Sequence, residues 1–171
     1  MAMSKGTGNE HDLVEFLVDF PEGYGSVSFV GRGALSYSES VRRLLMSARR
    51  VVRIAVPFVD DCGIDFLIDG LSANTNRPSV EMVVRSIPEW RTDDVKKAGI
   101  RLYVLNEDRS RWGFHAKYFI FDDETAIIGS ENLVDRNLRR SLEIGVMVGS
   151  KISNQLLVVH KNLIAVSIKV V

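Results

Sequence analysis

Residues 114–129 read FHAKYFIFDDETAIIG. Two runs rich in β-branched and aromatic residues, Phe114–Phe121 and Thr125–Ile128, flank the polar triplet Asp122–Asp123–Glu124, the pattern of two strands joined by a tight turn. Strands joined so closely are antiparallel, because a parallel pair needs a crossover of a dozen or more residues. Upstream, RIAVPFV at 53–59 is apolar almost throughout and stops at Asp60–Asp61, which suits a strand buried on both faces. Val80–Val84, Arg101–Leu105 and Ile144–Val148 read as further strands.

Helical spacing fills the intervals. Val41, Leu44, Leu45 and Ala48 make one apolar face opposite Arg42, Arg43, Arg49 and Arg50, with Ser38 or Ser40 as the cap. A short helix is expected over Ile64–Leu71 and another over Asp93–Gly99, with acids at its start and lysines before a glycine stop. Ile152, Leu156, Val159, Leu163 and Val166 recur at threes and fours and predict a C-terminal amphipathic helix, with His160 on its solvated side. Nearer the N-terminus, Leu13, Phe16, Leu17 and Phe20 predict a helix over Asp12–Phe20, and Val27–Val30 a short strand. Strands alternating with helices around one antiparallel hairpin predict an α/β fold: an α/β/α sandwich with a mixed central β-sheet.

The chain has 171 residues, one domain's worth, and 46% of them are hydrophobic against 26% charged. Residues 1–10 read as a disordered tail and 11–171 as a single domain. Lys and Arg together number 22, as do Asp and Glu, so no global field favours a polyanion or an anionic membrane. Fifteen of the basic residues are Arg, whose rigid fork of donors suits phosphate better than the point charge of Lys. The lone cysteine, Cys62, excludes an internal disulfide and any multi-cysteine metal cluster, and reads as a buried bystander. With no apolar run long enough to span a bilayer and no secretory leader, the expectation is a cytoplasmic protein without stable membrane association.

Only three histidines are present, and His11 reads as solvated like His160. His115 and Lys117 stand two apart on an expected strand and so share a face, beside core residues Tyr118 and Ile120. Taken alone, the pair is also what a hydrogen-bonded histidine and a snorkelling lysine at a strand end look like. It does not stand alone. Asp122, then Gly129, Ser130 and Asn132, follow at fixed intervals, and Glu143 opens the next strand.

The spacing His115-x-Lys117-x4-Asp122-x6-Gly129-Ser130-x-Asn132 resembles the signature of the phospholipase D superfamily. The resemblance extends from the helix near residue 38 to the strand ending at 148. It implies His115 as a nucleophile forming a phosphohistidine, Lys117 and Asn132 as phosphate ligands, Asp122 as a supporting residue beside the site, and no metal or other cofactor. The chemistry suits the residue types. A neutral imidazole can attack phosphorus, and Lys117, Ser130 and Asn132 can donate to phosphate oxygens. Glu143 is the candidate to hold the far nitrogen of His115. Trp112, Arg136, Arg139 and Arg140 are candidates for the substrate rim.

Two departures from the family pattern stand out. Ser141 occupies a position where many members have Asn, and the motif occurs once where members generally bring two copies together. A single copy can supply an attacking and a protonating histidine only by pairing with itself, so the resemblance implies a homodimer with His115 of each subunit in one site. The leading functional expectation is a metal-independent nuclease, with DNA ahead of RNA. A phospholipase or phosphatidyl transferase ranks second, and a silent nucleic-acid-binding module third.

Overall fold

The computed structural model describes residues 13–22, 34–105 and 113–171. In chain order the elements are β1 (Val14–Asp19), α1 (Tyr37–Ser47), β2 (Val51–Ala55), α2 (Asp61–Ser72), β3 (Ser79–Val84), α3 (Thr92–Lys97) and β4 (Ile100–Leu105). There follow β5 (Tyr118–Phe121), β6 (Thr125–Gly129), α4 (Asp135–Arg140), β7 (Glu143–Val148), α5 (Ser150–Val166) and β8 (Ser167–Lys169). A single-turn 3-10 helix, Glu89–Arg91, leads into α3.

The strands form one mixed sheet in the order β1-β7-β6-β5-β2-β3-β4-β8. β2, β3 and β4 run parallel, whereas β2 meets β5 antiparallel and the β5–β6 hairpin and β7 continue in alternation. Period-two alternation then splits the core. Leu17, Ile54, Met82, Phe119, Ile127 and Met147 pack under α1, α2 and α3, while Ala55, Val83, Tyr118, Ile120 and Val148 pack under α5. This is the mixed sandwich expected from the sequence.

Local chemistry sets the elements. Asp19 at the end of β1 accepts from Ser36 Oγ (2.7 Å) and from the amides of Tyr37 (2.9 Å) and Ser38 (2.7 Å), so it stabilises the first turn of α1 together with the cap Ser36. The cap is thus Ser36 rather than Ser38 or Ser40. At the other end of α1, the buried Asn74 donates to the carbonyls of Leu45 (2.7 Å) and Ala48 (2.9 Å), which lack helical partners.

Several expectations are corrected. Val14–Asp19 is a strand, not a helix: it pairs with the free edge of β7, and no helix covers Val14 or Phe16, which stay exposed. Six of the eight residues Leu13–Phe20 are apolar, so Leu13, Phe16, Leu17 and Phe20 fit a helix while Val14, Phe16, Val18 and Phe20 fit a strand, and the available edge decided between them. Only Tyr118–Phe121 of the expected first hairpin strand joins the ladder, so His115 and Lys117 lie just before β5. The polar stretch before β7 contains α4, and β8 was not foreseen. Cys62 is only half-buried.

His160 is fully buried rather than solvated. Beneath α5 the sheet carries a row of charges, Arg53, Glu81 and Arg101, side by side in register, so a polar side of the helix can face inward there. Arg53 (3.0 Å) and Arg101 (3.0 Å) both bind Glu81. Val27–Val30, His11 and the tail at 1–10 fall outside the described residues. None of the helices among the described residues is long and apolar enough to cross a membrane.

Candidate active site

The antiparallel order places the start of β5, the end of β6, the start of β7 and the end of β1 at one edge of the sheet, with Gly129 opposite Gly145 and Asp19 opposite Glu143. His115, Lys117, Ser130, Asn132 and Glu143 therefore come from three neighbouring strand ends. His115 is exposed, whereas Lys117 is only 6% exposed. Lys117 Nζ donates to the His115 carbonyl oxygen at 2.9 Å and lies 3.3 Å from each ring nitrogen, so it is committed to neither. Burial pulls the lysine pKa down, and the charge of Glu143 opposes that pull.

Glu143 is 3% exposed and accepts hydrogen bonds from Ser130 Oγ and from Asn137 Nδ2. Ser130 Oγ in turn accepts from the amide of Ile144 at 3.2 Å. Both carboxylate oxygens are thus engaged by Ser130 and Asn137, and the expected hold of Glu143 on His115 is not the arrangement within this chain. Instead Glu143 orients Ser130 and steadies the Lys117 ammonium. Asn137, on α4, was missed in the sequence because nothing in its spacing marked it.

Asp122 does not stand beside the site, contrary to expectation. It lies five residue steps from Lys117 along β5, roughly 16 Å at strand rise. Its carboxylate accepts from the amides of Arg49 (2.8 Å), Arg50 (2.7 Å) and Val51 (3.0 Å). These bonds outweigh partial burial and hold its pKa below the usual carboxylate value. Asp122 and Asp123 both have positive φ, 57° and 63°, a conformation that Asp tolerates better than most residues. The motif aspartate anchors the far end of the hairpin.

Behind the site sits an acidic layer that sequence reasoning missed. Gly129 and Gly145 make room for the ring of Tyr37, which a Cβ at either position would overlap. Glu131, inside the GSEN tetrad, is 2% exposed. Burial, then the nearby charges of Asp19 and Glu143, push its pKa up to about 9. The same burial, with Glu131, Glu143 and Asp19 nearby, raises the Tyr37 phenol. Tyr37 Oη, Glu131 Oε1 and Asn132 Oδ1 are buried without a hydrogen-bond partner among the described residues.

On the rim, Arg136, Arg139 and Arg140 are all exposed on α4, with Arg139 (3.5 Å) and Arg140 (2.5 Å) sharing Asp135. Trp112 lies outside the described residues. Among the described residues, no group of three His, Cys, Asp or Glu is arranged to hold a metal ion.

Residues 41–162 match the family model described as "Cardiolipin synthase, PLD-like domain". The chain belongs to the phospholipase D superfamily. It is 27% identical over 144 residues to the major cardiolipin synthase ClsA of Bacillus subtilis, an alignment covering 75% of this chain and 28% of that protein. The chain thus spans little more than a quarter of the length of this curated relative. Its fold is similar to the phospholipase D family member Nuc from Salmonella typhimurium, with TM-score 0.69 and 17% identity, covering 93% of this chain and 98% of that one. NucT from Helicobacter pylori gives the same TM-score, 0.69, at 13% identity, covering 92% and 100%.

Proposed function

We propose that this superfamily member hydrolyses phosphodiester bonds through a phosphohistidine on His115, that its substrate is nucleic acid, and that two subunits share one site. The observation that carries the reading is an exposed imidazole with a buried ammonium against it, at the strand ends where Ser130, Asn132 and Glu143 gather. In this scheme a neutral ring nitrogen of His115 attacks phosphorus, a P–N bond forms and the P–O bond to the leaving group breaks. His115 of the partner subunit gives its proton to the departing oxygen. Water then attacks the phosphohistidine, losing its proton to that same partner imidazole, and the P–N bond breaks. Lys117 and Asn132 offset charge on the non-bridging oxygens, while Ser130, whose hydroxyl proton goes to Glu143, holds that carboxylate in place.

Nucleic acid is favoured by the arginines that follow Asn132 directly, Arg136, Arg139 and Arg140, since guanidinium groups suit a repeated phosphate backbone. DNA is the first substrate to try. Phosphatidyl transfer is the second reading, supported by the 27% identity to a cardiolipin synthase. Incubating the pure protein in EDTA with labelled DNA, RNA and phosphatidylglycerol vesicles in parallel separates them. Cleavage of a nucleic acid is the expected result; product from the lipid alone overturns the nuclease reading.

A further inference from the structure

At the same edge of the sheet, the chain leaving β2 is fastened to the loop that carries Asn132. Val59 forms a parallel bridge with Leu133, the Asp60 amide donates to the Leu133 carbonyl at 3.0 Å, and Asp60 Oδ2 accepts from the Asp135 amide at 2.8 Å. Gly63 sits so close to the Leu133 carbonyl that a Cβ there would overlap it. One residue back from the Val59–Leu133 bridge, on its two sides, stand Phe58 and Asn132.

Phe58 is itself bridged to Ser86 on its other side, and Val59 N donates to Ser86 O at 3.3 Å. Between β2 and α2, Val56, Pro57 and Val59 are buried while Phe58 is 40% exposed. The Arg85 guanidinium lies 5.9 Å from the centroid of the Phe58 ring. A large apolar side chain is thus held in water by backbone bonds on both flanks, with a cation over its ring. Nothing in the hydrolytic scheme above uses it.

We propose that Phe58, backed by Arg85, is the stacking platform for one nucleobase of a substrate whose phosphate is held at Asn132; this rests on the nucleic-acid reading above. A base is tethered to its phosphate by one sugar, so a platform adjoining a phosphate ligand falls within reach of the base of the same or the next nucleotide. Phe58 is exposed between the buried Pro57 and Val59, and one rigid ring matches one planar partner. An acyl chain needs a continuous apolar track instead. The cation lies over the ring and polarises it.

The test uses the whole chain and a single-stranded oligonucleotide, comparing Phe58→Ala, Phe58→Leu and Phe58→Trp with the unaltered protein. A set of oligonucleotides carries one abasic position each. Stacking predicts that Phe58→Ala and Phe58→Leu raise KM about ten- to a hundredfold while kcat changes less, and that Phe58→Trp does not. One abasic position should weaken the unaltered protein by a similar factor and leave Phe58→Ala unaffected. Unchanged melting temperatures, expected for so exposed a side chain, guard against misfolding. The proposal is overturned if Phe58→Leu behaves as the unaltered protein, or if the abasic penalty persists in Phe58→Ala. Loss of binding to phosphatidylglycerol vesicles in Phe58→Ala, with oligonucleotide cleavage intact, overturns it in favour of a lipid contact. An unaltered protein that cleaves no nucleic acid removes the underlying reading, and this proposal with it.

Discussion

Asp122 binds the backbone amide of Arg50 at 2.7 Å, and with the amides of Arg49 and Val51 it clamps the β5–β6 turn to the junction between α1 and β2. A residue that belongs to the sequence signature of a catalytic family here serves the scaffold. Replacing it with Ala should cost about 2–4 kcal/mol of stability, because three amides lose a charged acceptor. The kcat of the remaining folded protein should stay within a few-fold of normal. Because its pKa is depressed in the fold, its contribution is present above the usual carboxylate pKa and disappears as pH falls through the depressed value. A collapse of kcat at unchanged melting temperature would return Asp122 to the site.

His115 and Lys117 should divide the opposite way. His115→Ala should abolish turnover and leave the melting temperature nearly unaltered, since the ring is exposed. Lys117→Ala should lose about 2–4 kcal/mol of transition-state stabilisation, read as kcat/KM on whichever phosphodiester the protein cleaves. Hydrolysis should persist in EDTA. Near-normal rates for His115→Ala would sink the proposed chemistry.

Stability should depend on pH through two buried groups with opposite signs. Glu131 holds a proton up to about pH 9 in the fold but only to about 4.5 when unfolded, so the native state binds the extra proton between those values. Its contribution is complete below 4.5 and falls away as pH rises to 9. His160 is the reverse. Burial, then the charge of Arg53, lowers its pKa to about 4 from 6.5, although Glu81 lies 3.9 Å away with its charge already claimed by two arginines. The unfolded state therefore binds the extra proton, and stability rises between pH 4 and 6.5. Above 6.5 the Glu131 decline is left unopposed by His160. Urea midpoints measured from pH 6.5 to 9 should drop less in Glu131→Gln than in the unaltered protein; parallel curves would refute the assignment.

Assembly is tested by mixing. Equal amounts of unaltered and His115→Ala subunits, exchanged at random, give about half mixed dimers with one imidazole each. A shared site requires activity to fall well below the unaltered fraction, and the rate to follow a bell in pH bounded by two apparent pKa values of the pair. Activity that tracks the unaltered fraction would show that each subunit works alone.

The hairpin, the helix faces at 41–48 and 152–166, and the spacing from His115 to Asn132 were legible because each is written in adjacent residues with a short period. The strand at Val14–Asp19 was not, since its apolar spacing fits both periods and its partner edge, β7, lies more than a hundred residues on. His160 looked solvated because a lone polar residue on a helix carries no record of the charged row on the sheet beneath it. In the same way, the family resemblance implied that Asp122 stands beside the site, because spacing along a strand does not state which end faces the site.

By itself, the sequence determined the mixed sandwich and the spacing of the family motif from His115 to Asn132. Only the tertiary structure decided the company each side chain keeps. It joined Glu143 to Ser130 and Asn137, sent Asp122 to the far end of β5, and set Phe58 beside the loop that carries Asn132. The physical reason is range: hydrophobic periodicity and turn chemistry act between neighbours in the chain. Hydrogen-bond partners and pKa values are set instead by groups brought together across the sheet, through register and burial.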